Sequence, residues 1–276
     1  MSLITLTTDF GTKDHSVSAV KGSILQQLPE AKIVDITHEI EPFHIHQCAY
    51  IIKNAYKFFP KKTVHIIGVE GELTPENKHI VVEVDGHFFV GADNGFLSLI
   101  LKEIKPTLIY EIHIPNSSNS FFAEVDVFSK VACHLQRKGA LSLVGKPIDN
   151  VKIFTDLEPI KKTDDLFVCN VIYIDNYGNV VLNVTEKYFK DFSKGRKFTI
   201  NARGIEFKKI YKSYSDSINF NLDKKRREED GKHLALFNSS GYLELSIYKS
   251  NPKTYGAANS LFGLKYRDTI SITFEN

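Results

Sequence analysis

The chain has 276 residues, which is long enough for a large hydrophobic core in one or two domains. Hydrophobic residues make up 42% and charged residues 25%, a composition typical of a globular protein. A net charge of +2 gives no case for a nucleic-acid partner, and the basic cluster from Lys224 to Arg227 is flanked by acids, which favours a solvated loop. The sequence shows no signal peptide and no apolar run of transmembrane length, so we expect a cytoplasmic protein with no membrane partner.

The opening stretch predicts a strand, a loop and a helix. Leu3 to Thr8 alternates apolar and Thr residues, which is typical of a buried strand. A helix after the loop is predicted by four apolar residues at helical spacing: Val17, Val20, Ile24 and Leu28. Asp9, Asp14 and Ser16 follow the strand, where open α/β sheets bind ligands, and we predict that they bind one. Acidic residues there suit hydroxyl groups or a cation, and the loop lacks the glycine spacing of a pyrophosphate site.

Strands and helices alternate through the N-terminal half. The predicted strands are Lys32 to Ile36, Thr63 to Val69, Ile80 to Val84, His87 to Val90 and Leu108 to Ile112. The predicted helices are an apolar face from Ile45 to Phe59, a short span from Phe96 to Leu101 and a long span from about Phe121 to Arg137. Asp85-Gly86 predicts a hairpin turn, and a loop rich in Ser and Asn, residues 115–120, precedes the long helix. The alternation predicts a layered α/β domain with a mainly parallel sheet over residues 1–150.

The pattern then changes to short strands joined by turns. Residues 151–165 are interpreted as a linker, and residues 166–276 as a smaller all-β, barrel-like domain. Its predicted strands are Val168 to Ile174, Val180 to Val184, Phe198 to Ile200, Leu234 to Phe237, Leu243 to Tyr248 and Thr269 to Phe274.

The three cysteines, Cys48, Cys133 and Cys169, are scattered in apolar patterns. Their odd number and spacing predict buried thiols rather than disulfides or a metal site. His44 and His46 lie two residues apart before a predicted helix, without the spacing of a known metal motif. We therefore expect no metal site.

Six segments carry a resemblance to a known family: TTDFGTKDHSVSAVKG, VDITHEIEPFHIHQCAY, FFPKKTVHI, GADNGFLS, IDNYGNVVLNV and LFNSSGYLEL. They stand in the order in which they occur in the S-adenosyl-L-methionine hydroxide adenosyltransferases, relatives of the fluorinase and chlorinase enzymes. The chain resembles this family over nearly its whole length. The resemblance implies a homotrimer with an α/β N-terminal domain and a β-barrel C-terminal domain. It also implies a small adenosyl ligand between the N-terminal domain of one subunit and the C-terminal domain of the next, and no further cofactor.

By this resemblance, several residues of the N-terminal half contact the ligand. Asp9 matches an Asp that holds the ribose hydroxyls, and Ser16 matches a residue near the methionine end. Phe43 and Phe122 match aromatic residues that lie against the ligand. Ordinary structural roles stay open for them, namely a turn or cap Asp, an N-cap Ser and packed core rings. Asp93-Asn94-Gly95 matches a family turn, to which we assign a structural role.

Two turns of the C-terminal half resemble ligand-binding turns of the family. Asp175 would grip the methionine amino group, the Tyr177 ring would flank the base or sugar, and the Asn179 amide would bond the adenine edge. A plain β-turn is the alternative interpretation of these residues. Ser239 and Ser240 match a second loop that faces adenine.

The departures from the family concern the residues that hold and activate water. The resembled hydrolases carry Asp-Pro-Gly-Val-Gly after the TVH strand, an Arg seven residues beyond that Asp and a His at the start of the long helix. Here Glu70 stands at the Asp, Gly71 at the Pro, Asn77 at the Arg and Ala123 at the His. Glu70 and Asn77 are therefore the predicted catalytic residues, with Lys78 or His113 as alternatives for the missing role. Glu124 stands where the fluorinase relatives place a halide-contacting Ser, which argues against a halide nucleophile.

The resemblance implies attack at C5′ of S-adenosylmethionine, whose sulfonium makes methionine a good leaving group. The enzyme would place a desolvated water in line with the C5′–S bond and accept its proton. The first hypothesis is hydrolysis to adenosine and L-methionine. The alternative is an impaired family member that binds or senses S-adenosylmethionine or adenosine without turnover. A third hypothesis is an inert structural trimer.

Overall fold

The computed structural model describes residues 2–101, 104–115, 120–155, 157–227, 229 and 231–275. These residues form two compact units, one ending at Thr155 and the other starting at Leu157. Of the Ser/Asn-rich loop predicted at 115–120, residues 116–119 lie outside the described part of the chain. No helix in the described part is long and apolar enough to cross a membrane.

The first unit alternates strands and helices. Its strands are β1 (Leu3–Thr8), β2 (Lys32–Thr37), β3 (Val64–Gly68), β4 (His79–Val84), β5 (His87–Ala92), β6 (Leu108–Ile112) and β7 (Gly145–Pro147). Its helices are α1 (Ser16–Gln27), α2 (Ile45–Ala55), α3 (Phe96–Leu101) and α4 (Ser129–Gln136), the last preceded by a π-helical turn over Glu124–Phe128. The predicted long helix thus begins later than expected and starts with widened geometry.

The seven strands form one sheet in the order β2-β1-β3-β5-β4-β6-β7. The pairs β1–β2, β1–β3 and β3–β5 are parallel, whereas β4–β5, β4–β6 and β6–β7 are antiparallel. The prediction of a mainly parallel sheet was therefore wrong for half of the strand pairs. The physical reason is the Asp85-Gly86 turn, where both residues have positive φ (49° and 71°), because it folds β4 back on β5 as a hairpin and leaves β6 to pair with an antiparallel neighbour.

Helices cover both faces of this sheet. α1 and α4 pack on one face through buried apolar residues such as Ile24 and Val131. α2 and α3 pack on the other face, where Ile52 and Ile100 lie in a second cluster. Burial of strands on both faces accounts for their nearly continuous apolar sequences. All three cysteines are buried free thiols, as predicted.

The second unit is built around a curved, barrel-like sheet. Its strands are β8 (Ile160–Lys161), β9 (Leu166–Ile174), β10 (Val180–Thr185), β11 (Phe198–Ala202), β12 (Ile205–Phe207), β13 (Ile210–Tyr211), β14 (His233–Phe237), β15 (Tyr242–Ile247) and β16 (Thr269–Phe274). The order is β12-β11-β16-β9-β10-β15-β14-β13, with β8 beside β9. The sheet encloses one apolar core that includes Phe167, Val171 and Ile272.

Two helices in the second unit correct the expectation of an all-β domain. They are α5 (Glu186–Ser193) and the one-turn α6 (Ala258–Leu261). Thr185 caps α5, since its side-chain oxygen accepts a hydrogen bond from the Tyr188 N–H at 3.1 Å. Within the predicted linker 151–165, the residues through Thr155 cluster with the first unit, and Ile160–Lys161 form β8.

Candidate functional site

The carboxyl ends of four parallel strands lie along one edge of the first sheet. The chain passes from β1 to β2 through α1 and then returns past β1 to β3 through α2. The strand order therefore reverses between β1 and β3, and open α/β sheets bind ligands at such a reversal. Asp9 follows β1, and Glu70 with Gly71 follows β3. These residues flank the gap where a ligand is expected.

Asp9 is held by a residue far away in sequence. Its Oδ2 accepts a hydrogen bond of 2.9 Å from the backbone N–H of Phe43, and no other described residue bonds to the carboxylate. Asp9 therefore does not cap the turn that follows it, and Oδ1 can accept hydrogen bonds from a ligand. This bond brings together two residues that the sequence predicts to contact one ligand.

Phe43 has a strained and exposed conformation. Its φ is +64°, in the left-handed region that aromatic residues rarely adopt, and 72% of the residue surface is exposed. Such strain persists when surrounding contacts impose it, and here the Asp9 carboxylate is one of those contacts. An apolar ring held in solvent at a strained position is typical of a ligand contact.

The other predicted residues of this edge have different surroundings. The Phe122 ring is half-buried and meets the ring of Phe10, the residue after Asp9, edge-on with centroids 5.7 Å apart. Ser16 is the first residue of α1, and His15 occupies the N-cap position, so the N-cap interpretation of Ser16 does not hold. Asp14 is exposed in the loop before α1.

The loop after β3 is fixed by the Asp93-Asn94-Gly95 turn. The Asn94 side-chain amide donates hydrogen bonds to the carbonyl oxygens of Val69 (2.9 Å) and Glu70 (3.3 Å). Glu70 is half-buried, and its φ of +48° shows that the chain turns sharply there. Asn94 thus has the structural role expected from the sequence, and it places Glu70 at the edge of the gap.

Asn77 is engaged by a cation that the sequence analysis missed. The Lys152 ammonium donates a hydrogen bond of 2.9 Å to the Asn77 side-chain oxygen, and the Lys152 backbone N–H donates to both Asp93 carboxylate oxygens. Burial raises the pKa of Asp93. A positive charge therefore lies beside Asn77, and it comes from a residue 75 positions away. Lys78, the alternative considered from the sequence, is exposed.

In the second unit, the Asp175 carboxylate holds its own turn together. Oδ1 accepts the backbone N–H groups of Tyr177 and Asn179, both at 2.8 Å, and Oδ2 accepts the Asn179 side-chain amide at 2.9 Å. Tyr177 is exposed, whereas Asn179 is buried. The Gly178 carbonyl accepts the Asn259 N–H at 2.9 Å, which fixes the turn against α6. The geometry is that of an Asx-turn, which needs no ligand to form.

Ser239 and Ser240 lie in a second turn that Asn238 organises. The Asn238 side-chain oxygen accepts the N–H groups of Ser240 and Tyr242, and its amide donates to the buried carboxylate of Glu244 at 3.1 Å. Antiparallel pairing sets Val180 opposite Leu245 and Thr185 opposite Tyr242. The two predicted turns therefore lie at opposite ends of β10, roughly 17 Å apart at 3.3 Å per residue, and one unit does not bring them together.

Comparison with known proteins identifies the family. Residues 4–145 match the SAM hydroxide adenosyltransferase N-terminal domain, and residues 169–271 match the SAM hydroxide adenosyltransferase C-terminal domain. The chain belongs to the SAM hydroxide adenosyltransferase family.

The relatives of this chain include proteins named as hydrolases and proteins named as fluorinases. The chain is 32% identical to (R)-S-adenosyl-L-methionine hydrolase of Methanocaldococcus jannaschii, with 99% of this chain and 97% of that protein covered. It is 24% identical to the fluorinase of Nocardia brasiliensis, with 88% and 89% covered. It is also similar to the crystal structure of an uncharacterised conserved protein from Thermotoga maritima, with a TM-score of 0.81, 27% identity and coverage of 98% and 99%.

Glu124 is a second residue to which the sequence analysis gave no catalytic role, since it served there only as an argument against a halide nucleophile. It is 5% exposed, at the start of the π-helical turn, and Ala123 beside it is buried in the apolar core. Burial raises the pKa of Glu124 to about 7, and the nearby charge of Asp9 adds to this rise. π-Helical turns occur frequently at functional sites. The sequence did indicate that Glu124 lies on the buried face of the helix, because it precedes Val127 by three residues and so continues the apolar face of the predicted helix.

The edge of the first sheet thus combines hydrogen-bond acceptors for hydroxyl groups, exposed and half-buried aromatic rings, and a buried acid. In the described ranges, no group of three or more His, Cys, Asp or Glu residues could hold a metal ion. His44 serves α2 as its N-cap and accepts the Gln47 N–H through its ring at 3.0 Å. The arrangement suits an uncharged sugar and a desolvated nucleophile.

Proposed function

We propose that this chain binds S-adenosyl-L-methionine and hydrolyses it to adenosine and L-methionine by attack of water at C5′. The observation that carries the proposal is the Asp9–Phe43 hydrogen bond at the strand-order reversal between β1 and β3. This bond supports a site in which the Asp9 carboxylate accepts hydrogen bonds from the vicinal ribose hydroxyls and the Phe43 ring covers the sugar or base. The relative from Methanocaldococcus jannaschii, which matches nearly the whole chain, is named for this activity.

The remaining ligand contacts are proposed from the family resemblance. Asp14 and Ser16 would lie toward the methionine end, and Phe122 would lie beside Phe43 against the ligand. In the second unit, three residues of the Asx-turn and two serines would contact methionine and adenine: Asp175, Tyr177, Asn179, Ser239 and Ser240. Since the two turns lie at opposite ends of β10 within one unit, they cannot both face the adenine of one ligand, and we propose that the Asx-turn and the two serines contact different parts of it.

The chemistry needs little from a cofactor. The sulfonium of S-adenosylmethionine leaves as neutral methionine, so no metal or coenzyme is required to activate the leaving group. The protein must exclude bulk water, align one water molecule with the C5′–S bond and take up a proton. Glu70 and Asn77, with Lys152 beside it, would help to hold that water at the carboxyl end of β3.

We also propose that the active form is a cytoplasmic homotrimer in which a neighbouring subunit completes each site. Light scattering coupled to size exclusion tests the assembly, with a mass three times the 31.3 kDa of the chain expected. A monomer that turns over S-adenosylmethionine would contradict the trimer while leaving the reaction intact.

A binding protein without turnover is the second candidate function. It is favoured by Ala123, which can neither donate nor accept a proton at the position of the family His, and by Asn77, whose side-chain oxygen is already occupied. Purified protein incubated with S-adenosylmethionine and followed by chromatography separates the two candidates. Adenosine and methionine in equal amounts support hydrolysis, whereas binding seen by calorimetry without either product supports the second candidate.

A further inference from the structure

The Glu124 carboxyl group lies at the strand-order reversal itself. A Cβ built on Gly68, the last residue of β3, would lie 2.7 Å from Glu124 Cγ, 3.1 Å from its Oε1 and 3.1 Å from Thr8 Cγ2. Thr8 is the last residue of β1 and is paired with Gly68 in the parallel ladder. The carboxyl group therefore lies between the ends of the two strands that flank the expected ligand gap.

Two glycines make room for this side chain. A Cβ on Gly71 would overlap Glu124 Oε1, as a Cβ on Gly68 would crowd its Cγ. Any residue other than Gly at position 71 would place its Cβ in the space that the Glu124 carboxyl group occupies. Gly71 and Glu124 are thus sterically coupled, because the Glu124 side chain fills the space that the glycine leaves.

The charges around Glu124 are few and mostly negative. Asp9 faces it from the end of β1, and Glu70 precedes the Gly71 cradle after β3. His79 of β4 donates its Nε2–H to the Gly71 carbonyl at 2.9 Å, and burial lowers the pKa of its imidazole. No Lys or Arg in the described ranges pairs with the Glu124 carboxylate, which accepts its own backbone N–H. Burial near Asp9 holds the pKa of Glu124 at about 7, a suitable value for a base at neutral pH.

We propose that Glu124 is the general base of the hydrolysis, replacing the water-activating set that this chain lacks. The inference rests on the proposed function. A water oxygen forms a bond to C5′ while the C5′–S bond breaks and its electron pair goes to the sulfur, so that the sulfonium becomes neutral methionine. The water proton passes to the Glu124 carboxylate and is then released to solvent. The products are adenosine, methionine and one proton.

Glu124 fits this role better than Glu70 on structural grounds. Its carboxyl group is desolvated and fixed between two strand ends, whereas Glu70 is half-buried on a sharply turned loop. A base that loses its hydration before the reaction accepts a proton more readily in the transition state. Glu70 then contributes by holding water rather than by accepting its proton.

The test compares the native chain with Glu124→Gln, which keeps size and removes the ionisable group. For the native chain, kcat should rise with pH and level off above about 7. In the variant, kcat should fall about a hundredfold and should no longer depend on pH. Calorimetry should show that adenosine binding is unchanged. Glu30→Gln, which removes an exposed carboxylate at the opposite edge of the sheet, is the matched control and should keep the native rate and profile.

A second variant moves the carboxyl group without removing it. Gly71→Ala introduces the Cβ that overlaps Glu124 Oε1, and the flexible end of the Glu side chain can shift to relieve the overlap. The rate should fall at least tenfold while the fold is kept. Gly22→Ala in α1, where an added Cβ meets no atom within 4 Å, is the control and should leave the rate unchanged.

The outcomes separate the two proposals. If the native chain forms no adenosine, the proposed function is overturned and the base assignment with it. If the native chain forms adenosine and Glu124→Gln does so at the same rate with the same pH profile, only the base assignment is overturned. If Glu70→Gln instead abolishes the pH dependence while Glu124→Gln keeps it, the proton goes to Glu70.

Discussion

Replacing Glu124 by Gln should change how the stability of the protein depends on pH, whether or not a substrate is present. The native fold raises the pKa of this carboxyl group from 4.5 to about 7 by burial and by the charge of Asp9. Between these values the folded chain keeps a proton that the unfolded chain has lost. The unfolded state then binds fewer protons, so raising the pH through this window destabilises the native fold.

The size of the effect follows from the shift. A difference of about 2.5 pKa units, at about 1.36 kcal/mol each, gives roughly 3 kcal/mol of stability lost between pH 4.5 and pH 8. Little of this is screened by solvent, because Glu124 is 5% exposed. The Gln variant carries no such group, so its stability relative to the native chain should increase by about 3 kcal/mol over the same range.

Urea unfolding followed by far-ultraviolet circular dichroism at pH 4.5, 6 and 8 measures this difference, at one fixed protein concentration. Glu30→Gln should parallel the native chain at every pH. A difference between Glu124→Gln and the native chain that stays constant within about 0.5 kcal/mol would refute the reasoning, since Glu124 would then titrate alike in the folded and unfolded states.

Three further substitutions test other parts of the structure. Asp9→Ala should weaken adenosine binding by about 2 to 4 kcal/mol in calorimetry, because it removes a charged acceptor of hydroxyl groups. Gly178→Ala should destabilise the second unit by several kcal/mol in thermal unfolding, since φ is +74° and the new Cβ would lie 2.6 Å from Asn259 Oδ1. Lys152→Met should lower the free energy of unfolding by about 1 kcal/mol, because it leaves the buried Asn77 oxygen without its donor.

Matched variants control these three experiments. Asp9→Asn keeps an acceptor for the Phe43 N–H and should bind adenosine better than Asp9→Ala. If the native chain and both variants bind adenosine equally well, the sugar binds elsewhere. Gly204→Ala has a similar positive φ but meets no atom within 4 Å, so its smaller cost isolates the steric part of the Gly178 effect. Lys105→Met changes an exposed Lys of the same unit and is the control for Lys152→Met. If Lys152→Met lowers the free energy of unfolding no more than Lys105→Met does, the Asn77 contact contributes nothing to stability.

Strand positions could be predicted from the sequence because apolar patterns fix them locally. β1 and the hairpin around Asp85-Gly86 were predicted and confirmed, the second by antiparallel pairing of Val84 with His87 and by positive φ at both turn residues. The strands β7, β8, β12 and β13 were missed, since two or three residues carry no period. Parallel pairing also could not be predicted strand by strand, because sheet order depends on contacts between distant segments.

The candidate site shows the same division. Asp9 was predicted as a ligand contact from its place after a strand and from a family motif, and Phe43 from a family motif alone. The hydrogen bond between them shows that they lie together, and their contact with a ligand stays a prediction. Lys152 could not, because its contact with Asn77 spans 75 residues and its own segment looked like a linker. Glu124 was visible as a charged residue on an apolar helix face, but its raised pKa depends on burial and on the charge of Asp9. The space for its side chain depends on Gly68 and Gly71, and all of these are tertiary features.

Hydrolysis in water enriched in oxygen-18 tests the proposed reaction most directly. Attack of water at C5′ should yield adenosine whose 5′-hydroxyl carries one oxygen-18 atom, seen by mass spectrometry, together with unlabelled methionine. Bound S-adenosylmethionine that is recovered intact after long incubation, or adenosine without the label, would contradict attack by water at this site.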